Sequence, residues 1–244
     1  MKVGIISDIH GNWEALKEVE KVGKKLGVES WWCLGDIVGY YPQARECVEW
    51  VADNCEVVVM GNHDYATINI TITENFTPVA REAILFTIKI LDEKHLEFLS
   101  SLPLVYEIED ISLSHSNPFY PESWFYVFDA FDVFCLLSNR KKEELKRIYL
   151  IGHTHIPAVF TWDYEKVKED TFPLKIGDGK IYVINPGSVG QPRDGVNRAS
   201  FLVFDKDEME FVNHRVEYNY RKTMCLVIEN RLPLFLAERL EKGL

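Results

Sequence analysis

The 244-residue chain has no C-x-x-C pair, and its five cysteines (Cys33, Cys47, Cys55, Cys135 and Cys225) are odd in number and widely spaced. That excludes a disulfide framework and a thiolate metal site. Cys33 and Cys135 lie in apolar runs and read as small core hydrophobes. No run of about 18 uninterrupted apolar residues occurs, which excludes a membrane-spanning helix. The richest stretch, residues 124–137, is broken by Asp129 and Asp132. The apolar residues before Asp8 are too few for a signal peptide. The N-x-T triplets at Asn69 and Asn75 then read as accidental, and a cytoplasmic location is expected. Glycine (14) and proline (10) are near ordinary usage, so collagen-like and low-complexity architectures are excluded. Positive charge is in the minority: 27 Lys+Arg against 38 Asp+Glu leaves −11, a surface that disfavours long nucleic acids and anionic membranes.

What is present is an ordinary globular balance, 47% hydrophobic, and one domain over 1–244 is expected. Residues 2–7 read as a strand, followed by a helix with Asn12 as N-cap and Leu16, Val19 and Leu26 on one face. Strands are expected at 31–34 and 56–60, with a helix at 44–52 between them. Residues 78–99 read as one bent helix or two, and 105–108 with 111–114 as a hairpin. Residues 122–139 and 141–147 read as helical, and 148–151 as a strand. Beyond them lie strands at 159–162, 180–184, 200–204 and 209–216, then a short helix near 233–241. Helices among the strands early, and strands dominating later, predict a mixed α/β layered domain.

Five apolar segments end in short polar motifs: Asp8-Ile9-His10, Gly35-Asp36, Gly61-Asn62-His63-Asp64, Ser114-His115-Ser116 and Gly152-His153-Thr154-His155. Ligand crevices of open α/β sheets form at the carboxyl ends of strands. Asp8/His10 and His153/His155 are each two apart, a spacing that turns both side chains the same way on an extended segment, so that each pair can converge on one ion. Mixed N/O donors without thiolate suit Mn, Fe, Zn, Co or Ni and suit Ca poorly. Seven donors are too many for one ion with an open position, whereas two ions sharing a carboxylate use them all.

In kind, order and spacing these motifs resemble those of the calcineurin-like metallophosphoesterase superfamily. Asp8-Ile9-His10-Gly11-Asn12, Gly35-Asp36-Ile37-Val38-Gly39, the aromatic segment after His115, and residues 185–193 bring the chain nearer the YfcE-like phosphodiesterase branch. The resemblance implies a four-layer αββα sandwich, two mixed sheets flanked by helices. It implies a first metal held by Asp8, His10 and His155, a second by Asn62, His115 and His153, and Asp36 bridging them. It also implies attack on phosphorus by a bridging hydroxide, with His63 as general acid or charge stabiliser at the leaving oxygen and Asp64 orienting it. Manganese is the foremost expectation for the two divalent ions.

The chain departs from the protein-phosphatase pattern, with no Arg between Asp36 and Arg45 and with Asp64 where those relatives use Glu. A small phosphodiester is therefore the expected substrate. A phosphomonoester is the alternative, and a protein phosphatase or a non-catalytic scaffold stands behind both. Arg193 is a candidate phosphate contact, with an ion pair to Asp194 as the competing reading. Tyr40, Tyr41 and Tyr120 are candidates for stacking on a base or aryl group. The aromatic cluster Phe119, Tyr120, Trp124, Phe125, Tyr126, Phe128, Phe131 and Phe134 reads mostly as core at helical spacing, with the lining of a pocket or a dimer face as the competing reading. His95 and His214 read as structural. The expected partner is a small phosphoester, without long nucleic acid or membrane, and a homo-oligomer is compatible with the sequence.

Overall fold

The computed structural model describes residues 1–244. One six-stranded sheet contains β1 (Lys2–Ile6), β2 (Ser30–Cys33), β3 (Cys55–Val58), β9 (Leu174–Lys175), β11 (Ala199–Asp205) and β12 (Glu210–Val216), in the order β3-β2-β1-β11-β12-β9. The other contains β4 (Val105–Ile108), β5 (Ile111–Ser114), β6 (Ile148–Leu150), β7 (Pro157–Trp162), β8 (Val167–Asp170) and β10 (Ile181–Pro186), in the order β4-β5-β6-β10-β7-β8. Both are mixed: β1 pairs parallel to β2 and antiparallel to β11, and β10 pairs parallel to β6 and antiparallel to β7.

Strand alternation builds the layers. Val3, Ile5, Trp32 and Leu34 turn inward to meet Leu113, Leu150 and Ile184 of the second sheet. Ile6, Trp31 and Cys33 turn outward beneath α1 (Trp13–Leu26), α2 (Ala44–Asn54) and α5 (Glu93–Ser101), against Leu16, Val51 and Leu99. On the far face of the second sheet, α6 (Ala130–Leu137) covers Tyr149, Phe160 and Val183 with Val133 and Leu137. The result is the expected αββα stack. The 78–99 segment is two helices, α4 (Pro78–Ile90) and α5, broken where Asp92 caps the second. Two further helices were not anticipated: α3 (Asn62–Ile68) and α7 (Tyr220–Glu229). With α8 (Leu234–Lys242), α7 closes a cluster around Tyr40 and Tyr41. No helix is long and apolar enough to cross a membrane.

The expectations for 122–147 require correction. Only α6 and two short 3₁₀ turns (Pro121–Ser123 and Lys142–Glu144) form there, because Trp124 takes a left-handed conformation that stops any helix from 122 onward. Helical periodicity is then lost, and the aromatic cluster is not core. Tyr120, Phe125, Tyr126, Phe128, Phe131 and Phe134 are exposed, Phe131 by 71%. The two turns of α6 bury Val133, Leu136 and Leu137, which leaves Cys135 on the outer side, not in the core.

Candidate metal centre

All five motifs meet at one end of the two sheets. Asp8, His10, Asp36, Asn62, His63, Asp64, His115, His153 and His155 are all buried. Four imidazoles share one arrangement. His10 Nδ1 donates to the Val38 carbonyl (3.1 Å), His115 Nδ1 to Leu34 (2.8 Å), His155 Nδ1 to Gln191 (2.6 Å) and His153 Nε2 to Trp124 (2.9 Å). A carbonyl oxygen can only accept, so each ring carries a proton on that nitrogen and turns the other one inward. The inward nitrogens approach in pairs: His10 Nε2 lies 3.1 Å from His155 Nε2, and His115 Nε2 lies 3.2 Å from His153 Nδ1. Two neighbouring ligands at about 2.1 Å from one ion are roughly 3 Å apart, so both pairs have the spacing of cis ligands.

The carboxylates complete two groups with separate histidines, Asp8–His10–His155 and Asp36–His115–His153, and a third, His10–Asp36–His63, that overlaps the first through His10 and the second through Asp36. Asp36 stands between the first two: Oδ1 accepts from the His63 backbone N–H (2.8 Å), while Oδ2 lies 3.3 Å from His115 Nε2 and 3.6 Å from His10 Nε2. Asp8 Oδ1 and Asn62 Oδ1 are buried without hydrogen-bond partners. Buried acceptors left unpaired cost about 1–3 kcal/mol each, and a divalent cation would satisfy several at once. The donor set fits such ions.

Asp8 and His10 enter one group together, whereas His153 and His155 enter different groups, the division that the family resemblance implies. None of the four is extended. Asp8, His10, Asp36, His153 and His155 all have positive φ (52° to 70°), half of the ten non-glycine residues that do. Such strain costs of order 1 kcal/mol per residue and concentrates at functional sites. Neighbouring segments hold the strained loops. Ser188 Oγ and the Gly190 N–H both donate to the Asp8 carbonyl, and Asn185 Nδ2 donates to Gly152. Gly61 is required because a Cβ there would overlap the Asp36 carboxylate.

Asp64 does not orient the His63 ring. Its Oδ1 accepts from the Ile37 and Val38 N–H groups and its Oδ2 from Gly61, so the carboxylate ties the second motif to the third. The His63 ring is instead packed by Tyr40 (centroids 4.6 Å apart) and Phe76 (5.1 Å), with Nδ1 unpartnered. Nor does Arg193 pair with Asp194, whose carboxylate is engaged by Arg215. Arg193 donates to Gln191 Oε1 (2.8 Å) and to the Tyr40 hydroxyl (3.4 Å). Tyr41 is fully buried, with its hydroxyl bonded to Leu236 and Gln191, and has no free face for stacking; Tyr120 is exposed beside Arg140. His95 caps α5 and His214 packs on Phe201, both structural.

Electrostatics follows from the burial. Desolvation drives His153 down to about 3 and His63 to about 4, and lowers His10 and His155, so these rings are neutral at pH 7. Against the same burial, the Asp36 and Asp8 carboxylates raise His115 to about 9. Asp8 and Asp36 stay ionised despite burial because of the surrounding imidazoles. Burial and the Asp36 charge push Asp64 up to about 7.

A cleft of about 670 Å³ opens onto this centre, with Asn62, His63 and His153 at its inner end and Tyr65, Trp124 and Tyr126 among its walls. Trp124 and Tyr126 belong to the aromatic cluster read mostly as core, and for these two the pocket-lining alternative is the one that holds. One acts through a backbone carbonyl, and the other stacks its ring on His153 (3.9 Å, 9° between planes).

Residues 1–209 match the calcineurin-like phosphoesterase superfamily domain. The chain is 40% identical over 248 aligned residues to an uncharacterized protein of Methanocaldococcus jannaschii, covering 99% of this chain and 98% of that one. A crystal structure of a metallophosphoesterase from Sphaerobacter thermophilus is 37% identical, with a TM-score of 0.87 over 100% of this chain and 99% of that one. A hypothetical protein from Pyrococcus horikoshii shares the fold, with a TM-score of 0.77 at 20% identity over 99% of this chain and 98% of that one. Motif order, fold and full-length likeness agree: this chain belongs to the calcineurin-like phosphoesterase superfamily and is a metal-dependent phosphoester hydrolase.

Proposed function

We propose that the centre holds two divalent ions, manganese foremost, and hydrolyses a small phosphodiester. Asp8, His10 and His155 would bind one ion, Asn62, His115 and His153 the other, and Asp36 both. What supports this most is the set of four imidazoles, each donating one N–H to a carbonyl and grouping its other nitrogen with a buried carboxylate, Asp8 or Asp36. When bound, two dications supply Lewis acidity at the phosphoryl oxygens and a water of lowered pKa.

The chain's own residues do the rest. Burial keeps His63 neutral, which suits it to donate a hydrogen bond at the leaving oxygen. Asp64 acts on the loops and not on the substrate. Arg193, held by uncharged partners only, has a charge to offer a phosphate oxygen, and Tyr40 sets its direction. One free guanidinium suits a diester monoanion better than a monoester dianion. The acidic surface suits a small substrate in the cytoplasm better than nucleic acid or membrane, with the whole chain acting as one domain, alone or as a homo-oligomer.

The test is hydrolysis of bis(4-nitrophenyl) phosphate against 4-nitrophenyl phosphate. The chelated protein is expected to be inactive on both, and Mn²⁺ to restore turnover with the higher kcat/KM on the diester. Inactivity with every divalent metal overturns the reading, and preference for the monoester overturns the diester assignment.

A further inference from the structure

The cleft differs in character from the centre it opens onto. Its lining includes Phe76 and the exposed Asn75 together with Trp124 and Tyr126, with Tyr65 6.0 Å from Trp124 between ring centroids. No lysine or arginine lines it, and its one carboxylate, Glu122, is exposed and free of ion pairs. Arg193 does not line it and reaches only the hydroxyl of Tyr40, a lining residue packed on His10 and His63 beside the metal centre.

Three consequences follow. A second anionic group on a substrate held in this cleft would meet aromatic rings and Glu122 with no cation to compensate it, so an uncharged group is favoured. A lining with Tyr65, Phe76 and Trp124 matches another ring better than an alkyl chain, since stacking adds about 0.5–1.5 kcal/mol beyond buried area. The Asn75 amide makes no hydrogen bond within the protein and can both donate and accept at the edge of a heterocycle. The volume of about 670 Å³ is that of a small-molecule site.

We infer that the cleft is a specificity subsite for an uncharged aromatic group, aryl or heterocyclic, carried by the phosphoester whose phosphorus lies at the metal centre. The inference rests on the phosphoesterase reading and adds the substrate class. Tyr65 and Trp124 supply the stacking faces, Tyr126 being already stacked on His153 and Phe128, and Glu122 rejects anionic groups.

Non-hydrolysable phosphonates test it by calorimetry on the manganese-loaded protein, independently of turnover. Phenylphosphonate is expected to bind at least about tenfold tighter than methylphosphonate, and 4-carboxyphenylphosphonate to lose most of that gain. Tyr65→Leu should bring the phenyl-to-methyl ratio close to one, and Glu122→Lys should restore tight binding of the carboxyphenyl compound. Equal affinities for the phenyl and methyl compounds, or ratios unmoved by both substitutions, overturn the inference. So does phosphonate binding too weak to detect in protein that still hydrolyses bis(4-nitrophenyl) phosphate. Loss of both binding and hydrolysis overturns the phosphoesterase reading along with the inference.

Discussion

The Trp124 carbonyl oxygen accepts a hydrogen bond from His153 Nε2 at 2.9 Å, and this contact sets which imidazole nitrogen faces the metal centre. Trp124 can present that oxygen because its φ is 53°. Proline at this position would fix φ near −65° and swing the carbonyl away, whereas glycine adopts the left-handed region freely. Outer partners of ligating histidines are typically worth 10–100-fold in metal affinity. Trp124→Pro should weaken binding of the second manganese ion by about that factor, and Trp124→Gly should not, as titration calorimetry of the apo-protein would read.

His63 has one buried, unpartnered ring nitrogen and no place among the proposed ligands. A group acting at the leaving oxygen contributes about 10²–10⁴-fold. His63→Ala should lower kcat on bis(4-nitrophenyl) phosphate by that range while metal content, measured by elemental analysis, stays at the wild-type value. A parallel loss of metal would place His63 among the ligands instead.

Asp64 accepts three backbone N–H groups from two loops. Asparagine offers one acceptor oxygen, and its amide N–H would confront the donors left over. Asp64→Asn should cost about 1–3 kcal/mol in urea unfolding and lower metal affinity as well, because Asp36 and Asn62 ride on those loops.

Glu14 on α1 is buried, and Lys222 on α7 reaches it at 2.7 Å, with Lys17 adding a second ammonium. Against the opposing burial, both lysines hold its carboxyl below the ordinary value. A depressed carboxyl pKa adds stability above the unfolded-state value and loses it as pH falls through and below that value. Unfolding free energy should therefore decline between about pH 5 and pH 3. Glu14→Gln should flatten that decline and cost roughly 1–2 kcal/mol at pH 7.

The layered fold and the nine buried residues of the motifs were legible in the sequence for a local reason. Each motif follows an apolar strand directly, and composition with spacing suffices to read a strand followed by donor side chains. The helical reading of 122–139 failed because periodicity is blind to one left-handed residue, Trp124, and α6 shrank to two turns. Likewise α3 was missed because its seven residues are too few to display a period.

The sequence alone determined which side chains carry the chemistry, because donor type is a property of the residue. Motif resemblance already separated His153 from His155, but the left-handed backbone that sends these two residues into different groups belongs to the tertiary structure. Tertiary structure also decided that Asp64 serves backbone N–H groups, that Asp194 pairs with Arg215, and that mostly half-buried aromatics wall a cleft. Those outcomes depend on backbone carbonyls, left-handed φ values and contacts between segments far apart in the chain, none of which a residue's identity encodes.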